Sequence, residues 1–175
     1  MISSYRCAAL SAALVGVAIA ATAQEATSVA ATHEDWSVFE AAGPQRCWIS
    51  SSPEKSTATR NNAAVDVRRG DISLYVSYFP EEGVSAQVSF ASGYPFQTDS
   101  MVDLDVDGAS FELFTRNETA WTVSAEDDAR IVAEMKRGAE AVVTGLSSRG
   151  TTTKDTFSLI GFTAALEDAE SRCSG

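Results

Sequence analysis

From Trp36 onward, apolar and polar residues alternate along much of the chain with a period of two. The alternation is clearest in three stretches, at 72–78, 86–90 and 102–106. Each stretch predicts a β-strand with one buried and one exposed face, because successive side chains of a strand point to opposite sides of the sheet. Residues that favour turns lie before, between and after these stretches, at 69–71, 80–83, 92–95 and 107–108.

Two segments carry helical periodicity instead. The first begins after Ser124, a preferred N-cap residue, continues through acidic residues and ends at Gly138. Its predicted buried face consists of Ala125, Ala129, Val132 and Met135. The second runs from Gly161 to Cys173 and predicts an amphipathic helix. Its apolar stripe is formed by Phe162, Ala165, Leu166, Ala169 and Cys173.

Two further strands are predicted between the helices, at 140–146 and 152–159. Short strands at this spacing are typical of antiparallel sheets packed as a sandwich. The pattern therefore predicts one mainly β, antiparallel β-sandwich-like domain over residues 35–175. It has one internal helix and a C-terminal helix that a disulfide would pin to the sheets.

The first 23 residues have the pattern of a secretory signal peptide. Arg6 precedes an apolar run, and the small residues Ala21-Thr22-Ala23 form a cleavage motif. This predicts a mature chain that starts at Gln24 and a periplasmic or secreted location. Residues 24–34 are polar or small and show no periodicity, so we expect a flexible leader.

Cysteine usage agrees with export. Cys7 lies in the predicted signal peptide, so the mature chain would keep Cys47 and Cys173. An even pair in an exported chain predicts a disulfide, here between the start of the fold and its last helix. Two buried free thiols are the alternative interpretation.

The net charge of the chain limits the kinds of molecule that it could bind. The chain has 13 basic and 24 acidic residues and a formal net charge of −11. An acidic chain is a poor partner for nucleic acid, which needs a basic face. Beyond the signal peptide no apolar run is long enough to predict a membrane-spanning helix. The charge is uneven: residues 46–69 hold five basic and two acidic residues, whereas 81–128 hold eleven acidic and one basic.

Five blocks of the sequence together carry a resemblance to known proteins. The longest runs from Ser148 to Leu166 and reads SRGTTTKDTFSLIGFTAAL. The others are Asp35-Trp36, Cys47-Trp48, the strand from Val67 to Tyr78, and the helix segment from Ala133 to Gly138. In this order, the blocks resemble the invasion-associated locus B (IalB) family of exported bacterial proteins. The resemblance implies a periplasmic or envelope location. It supplies no catalytic motif that can be placed on this chain.

The segment 147–158 is polar and rich in hydroxyl groups, and it is the candidate binding segment. Its candidate binding residues are Arg149, Thr151, Thr153, Lys154 and Asp155. A loop that runs into a strand could present them to a ligand. The alternative is a half-exposed strand, which favours threonine, with Lys154 and Asp155 paired to their neighbours.

Two local motifs suggest sharper chemistry. Residues 103–108 match the opening of a calcium loop, but Phe114 occupies the position that needs a bidentate glutamate. An acidic strand that turns through Asp107-Gly108 into a hairpin fits better, and no metal or other cofactor is predicted. Arg69-Gly70-Asp71 has the integrin-binding sequence, but its position before a strand predicts a structural turn.

The only histidine, His33, lies in the predicted leader, so we expect it to have no fixed partner there. That expectation argues against His-dependent nucleophilic catalysis. The sequence therefore predicts a non-enzymatic envelope or periplasmic interaction protein with a protein or envelope partner. A small-ligand or glycan-binding module and an unrecognised hydrolase are the alternatives. The partner's identity and the oligomeric state are not predicted.

Overall fold

The fold was determined as a computed structural model that describes residues 28–41 and 45–174. The predicted signal peptide and the first four residues of the predicted leader lie outside this part of the chain. The strands are β1 (Ser28–His33), β2 (Trp36–Ala41), β3 (Arg46–Ser51), β4 (Lys55–Arg60), β5 (Ala63–Ala64), β6 (Ser73–Phe79), β7 (Val84–Ala91), β8 (Met101–Val106), β9 (Ala109–Arg116), β10 (Thr119–Trp121), β11 (Glu140–Leu146) and β12 (Thr152–Ser158). The α-helices are α1 (Ala125–Met135) and α2 (Phe162–Cys173), and Pro80–Glu82 form a 3-10 turn.

All these strands belong to one antiparallel hydrogen-bonded sheet, in the order β1-β2-β3-β6-β7-β10-β9-β8-β11-β12-β4-β5. The sheet folds back on itself, so strands far apart in this order meet across a common core. Phe90 of β7 and Phe157 of β12 make an edge-to-face contact with centroids 6.1 Å apart. The indole Nε1 of Trp36 in β2 donates to the carbonyl oxygen of Ser158 in β12 at 3.0 Å. The predicted mainly β antiparallel class is confirmed.

The alternating stretches form strands as predicted. In β6 the buried residues are Leu74, Val76 and Tyr78, and the residues between them are partly exposed. Strands β8 and β9 are joined by Asp107 and Gly108, whose φ angles are both positive, at 49° and 95°. Such a two-residue turn matches the twist of the flanking strands, which is why aspartate followed by glycine is favoured there.

Helix α2 closes one side of the core. All five residues of its predicted apolar stripe are buried. The ring of Phe162 packs edge-on against Trp36, with centroids 5.0 Å apart. Cys173, at the end of the stripe, forms a disulfide with Cys47 of β3, and their Cα atoms are 6.0 Å apart. The predicted pairing is therefore confirmed, and the alternative of two free thiols is wrong.

Helix α1 lies where predicted, but the prediction of its buried face is partly wrong. Ser124 caps it by accepting a hydrogen bond from the backbone N–H of Asp127. Ala125 and Ala129 are exposed, and the buried face is formed by Asp128, Ile131, Val132 and Met135. The hydrophobic pattern missed this face because a carboxylate, at Asp128, occupies one of its inward positions.

The Asp128 carboxylate can be buried because the fold supplies hydrogen-bond donors to it. Its Oδ1 accepts hydrogen bonds from the backbone N–H of Val88 at 2.7 Å and from the Thr122 hydroxyl at 2.6 Å. Burial raises the pKa of Asp128, and the two hydrogen bonds partly oppose that rise. The side chain thus ties α1 to the strand beneath it.

The predicted flexible leader is wrong for residues 28–33, which form β1. This strand pairs with β2 in an antiparallel register that joins His33 to Trp36. His33 Nε2 lies 2.9 Å from Asp168 Oδ2 of α2, so the histidine does have a fixed partner. The carbonyl of His33 approaches Gly161 so closely that any Cβ there would clash with it. The strand was not predicted because its sequence does not alternate between apolar and polar residues. It is held by its pairing with β2 and by its contacts with α2.

Candidate functional site

A concave site opens where three loops meet at one end of the sheet. The loops contain residues 66–69, 93–95 and 147–151, and the cavity between them has a volume of about 370 Å³. We call it the arginine cleft. Its lining residues are Arg60, Asp66, Val67, Arg68, Arg69, Gly93, Tyr94, Pro95, Ser147, Ser148, Arg149, Thr151 and Thr153.

The three loops are held together by backbone hydrogen bonds. The N–H of Gly70 donates to the carbonyl oxygen of Gly93 at 2.8 Å, and the N–H of Ser148 donates to that of Pro95 at 2.9 Å. Gly93 has a φ of 70°, and a Cβ there would lie 2.5 Å from the Gly70 oxygen. Only glycine lets the two loops approach this closely. The cleft walls are therefore fixed with respect to one another.

A buried ion pair lies at the base of the arginine cleft. Asp155 of β12 accepts two hydrogen bonds from the Arg69 guanidinium, Nη1 to Oδ1 and Nη2 to Oδ2, each at 2.7 Å. The Ser56 hydroxyl of β4 donates to Asp155 Oδ1 at 2.6 Å. The side chains of Arg69 and Asp155 are only 7% and 1% exposed. Such a pair is stable because both charges are satisfied by directed hydrogen bonds.

Arg69 is held on two further sides. Its Nε donates to the carbonyl oxygen of Ser92 at 2.9 Å. Its guanidinium carbon lies 4.8 Å from the centre of the Tyr94 ring, a cation–π distance. The Tyr94 hydroxyl is 2.6 Å from the Thr153 hydroxyl. Burial raises the pKa of Tyr94, against the opposing effects of Thr153 and Arg69, so this phenol stays neutral at physiological pH.

Arg60 of β4 forms part of the wall. Its Nε and Nη2 both donate to the hydroxyl oxygen of Thr151, at 3.0 and 2.6 Å. The hydroxyl of Ser147 in turn accepts from the Thr151 backbone N–H at 3.1 Å. Because the partner of Arg60 is a neutral hydroxyl, the guanidinium is oriented while its charge is left unbalanced.

Arg68 and Arg149 lie at the rim and are exposed. Within the ranges that the structure describes, neither side chain makes a hydrogen bond or an ion pair. Four arginines thus line the cleft, while Asp66 lines it and Asp155 lies at its base. Two positive charges remain unbalanced, on a chain whose formal net charge is −11. The cleft is an electropositive concavity on an acidic protein.

The structure brings most of the predicted binding residues to this cleft. Arg149, Thr151 and Thr153 line it, and Asp155 lies at its base. Lys154 does not belong to it: the residue is exposed between two buried neighbours, because side chains alternate along β12. A role for the other four in binding stays a prediction.

Sequence reasoning missed Arg60, Arg68 and Tyr94 as members of the site, and it assigned Arg69 only to a turn. The basic excess of residues 46–69 was the available signal, since three of its five basic residues line the cleft. The integrin-like tripeptide Arg69-Gly70-Asp71 has a structural role in this cleft. Its arginine is buried against Asp155 rather than presented to solvent.

The acidic motif at 103–108 forms the predicted hairpin between β8 and β9. Asp105 Oδ1 accepts from the backbone N–H of Gly108 at 3.0 Å, and Asp107 Oδ2 accepts from that of Ala139 at 2.7 Å. The Ser110 hydroxyl donates to Asp103 at 2.6 Å. Among the described residues, no group of three or more His, Cys, Asp or Glu side chains is arranged to hold a metal ion.

Comparison with known proteins gives one match. The family model described as "Invasion associated locus B (IalB) protein" matches residues 36–170, from the start of β2 to the last turns of α2. No curated protein and no solved structure matches the chain. In the described part of the chain, no helix is both long enough and apolar enough to cross a membrane.

Proposed function

Because the chain belongs to the invasion-associated locus B family, we propose that it is an exported periplasmic or envelope protein that binds a partner and has no catalytic activity. The arginine cleft is its binding surface. The confirmed disulfide supports the compartment, since disulfides persist in oxidising environments outside the cytoplasm. The signal-peptide pattern of residues 1–23 supports it independently.

The observation that carries this proposal is the excess of two positive charges in a preformed concavity. The protein has a formal net charge of −11, so an acidic partner is repelled by the molecule as a whole and attracted at this cleft. The loops are cross-linked by backbone hydrogen bonds, and Arg60 is already oriented by Thr151. Binding therefore requires little ordering of the protein, which favours affinity.

The chemistry of the cleft supports binding over catalysis. General acid–base catalysis needs a group that exchanges a proton near the working pH. Four of the five charged groups that line the cleft, all except Asp66, are guanidiniums, which donate hydrogen bonds and have no acceptor atom. Asp155 is paired with Arg69, and its side chain is only 1% exposed, so the carboxylate is buried away from a ligand in the cleft.

In-cell photo-crosslinking tests this proposal. A photo-crosslinking amino acid is placed at Ser148, an exposed residue of the cleft, and a matched one at Glu112, an exposed residue of β9. We expect an adduct in the envelope fraction from position 148 only, and its loss when Arg68→Glu is added. Equal adducts from both positions, or retention of the whole chain in the cytoplasm, would contradict the proposal.

A second candidate function, glycan binding, is favoured by one observation. The outer faces of β2, β3 and β6 form a hollow of about 360 Å³ lined by the aromatic residues Phe39, Trp48 and Tyr75 together with serines and Asp71. The rings of Phe39 and Trp48 are stacked, with centroids 5.5 Å apart. Aromatic rings beside hydroxyl and carboxylate groups suit the mixed apolar and polar surface of a sugar ring. Titration of Trp48 fluorescence with neutral oligosaccharides, with Trp48→Ala as the control, tests this candidate.

A further inference from the structure

Building on the proposed function, we infer that the occupant of the arginine cleft carries a phosphate monoester. The inference concerns the chemical group that is bound, whether a small soluble molecule or a lipid headgroup presents it. It rests on the charge of the cleft, on the type and fixation of its basic residues, and on its size.

Charge matching favours a dianion. The four arginines are offset by Asp66 and Asp155, which leaves two positive charges for a ligand. A phosphate monoester carries about −1.5 to −2 at neutral pH and so balances this excess. A carboxylate or a phosphate diester carries a single negative charge and would leave one arginine uncompensated.

The basic residues are of the type that suits phosphate. Every one that lines the cleft is an arginine, whose planar guanidinium binds phosphate oxygens through two parallel hydrogen bonds. Arg60 is oriented by Thr151, which takes two of the five N–H donors that a guanidinium has. Three donors remain, on a group whose charge no carboxylate neutralises among the described residues.

The two rim arginines complete the arrangement. Arg68 and Arg149 lie on different loops that line the same cavity as Arg60, and both are exposed. They can therefore close on a phosphate group that Arg60 positions. The hydroxyl-bearing residues Ser147 and Ser148 line the same cavity and suit a polar carrier.

The size of the cleft limits the carrier. Its volume of about 370 Å³ is near the lower end of the range for small-molecule sites, roughly 300–1,000 Å³. A phosphate with one attached sugar-sized group fits this volume, whereas a long acyl chain would have to remain outside. A soluble sugar phosphate and a lipid with a monoester headgroup share this chemistry.

Isothermal titration calorimetry on the exported, oxidised protein tests the inference at constant ionic strength. The probes are glucose 1-phosphate, methyl phosphate, the diester dimethyl phosphate and neutral glucose. We expect saturable one-to-one binding of both monoesters and at least tenfold weaker binding of the diester. Binding should also weaken below about pH 6, where the phosphate dianion takes up one proton and becomes a monoanion.

Charge-removing variants assign the binding to the cleft. Arg68→Gln and Arg149→Gln should each weaken binding of glucose 1-phosphate at least tenfold. The matched control is Arg130→Gln, which removes an exposed arginine of α1 that pairs with Asp127 and does not line the cleft. The control should bind like the parent protein. Since all three arginines are exposed, the variants should melt at nearly the same temperature.

Vesicles distinguish the two sources of the phosphate. Sedimentation with vesicles of phosphatidic acid, a monoester, is compared with vesicles of phosphatidylglycerol, a diester. Binding to phosphatidic acid that depends on Arg149 would place the phosphate on a lipid, and binding to glucose 1-phosphate alone would place it on a soluble carrier. No arginine-dependent binding to either monoester would overturn the inference. A position-148 adduct that persists in that case would leave the proposed function intact with another acidic partner.

Discussion

The two ends of this sheet are stabilised by different physical means. At the end closed by α2, an apolar stripe packs on β2 and β3, and the Cys47–Cys173 disulfide holds it there. At the arginine cleft, the buried contacts are an ion pair and hydroxyl hydrogen bonds between residues of distant strands and loops. The apolar packing at α2 depends on side chains of the right shape and volume. The polar contacts at the cleft depend on every hydrogen-bonding and charged partner being present.

This difference determines how each end responds to substitution. Apolar packing tolerates changes that conserve volume, usually for less than about 1.5 kcal/mol. A buried charge that loses its partner keeps its full desolvation penalty, so the cost is much larger. We therefore expect the cleft to be the more sensitive end to single substitutions, although the other end carries the covalent bond.

The largest effect is expected from Asp155→Asn. The change leaves the Arg69 guanidinium buried without a countercharge and should lower the free energy of unfolding by about 3–5 kcal/mol. Urea unfolding measures the loss. The double variant Arg69→Met, Asp155→Leu should recover most of it, because it removes both charges together. A loss below about 1 kcal/mol for Asp155→Asn would show that the ion pair does not govern this end.

A smaller effect is expected from Cys173→Ser. Loss of the disulfide should lower the free energy of unfolding by about 2–4 kcal/mol. Amide exchange should accelerate first in α2, because the bridge ties its last residue to β3, while Thr153 and Phe157 of β12 stay protected. Equal acceleration in α2 and β12 would mean that the two ends unfold as one unit. Hydrogen exchange read by mass spectrometry distinguishes the outcomes.

Asp128 of α1, which is bonded to β7, should make the stability of the protein depend on pH. This prediction adds a third buried group to the comparison of the two ends. Burial raises its pKa in the folded protein, so between the unfolded and folded pKa values the native state binds more protons than the unfolded state. Stability from this group therefore increases as the pH is lowered from neutrality through the folded pKa. Compared with Asp128→Asn, the parent protein should gain relative stability on acidification. Parallel urea titrations at several pH values measure the difference, and identical pH slopes would contradict it.

The smallest effect is expected from Lys154→Gln. The side chain is exposed on the outer face of β12, so its loss should change stability by less than about 0.5 kcal/mol. It should also leave binding at the arginine cleft unchanged, in contrast to Arg149→Gln. A binding defect for Lys154→Gln equal to that of Arg149→Gln would show that the outer face of β12 takes part in binding.

The sequence predicted the elements whose signal is local. Periodicity placed β6, β8 and α2, because alternation or a helical stripe reports directly on which side chains face the core. The disulfide was predictable for a different reason, since removal of the predicted signal peptide would leave two cysteines, for which one pairing is available.

Long-range polar contacts could not be predicted in this way. Arg69 and Asp155 are 86 positions apart, and Arg60 and Thr151 are 91 apart. Each contact depends on loop geometry or on the register between β4 and β12, in which Thr152 lies opposite Thr59. No property of a single segment reports that register. The buried face of α1 was missed for the same reason, because the partners of Asp128 lie on other elements.

The position of the Cys47–Cys173 bond also matters during biosynthesis. The two cysteines are 126 positions apart, and the second is in the last helix of the fold. A polypeptide that stops before Cys173 therefore lacks the native partner of Cys47. Intact chains can oxidise internally, whereas incomplete ones remain open to mixed disulfides with an oxidoreductase. The bond can therefore form only after α2, which carries its second cysteine, has been synthesised.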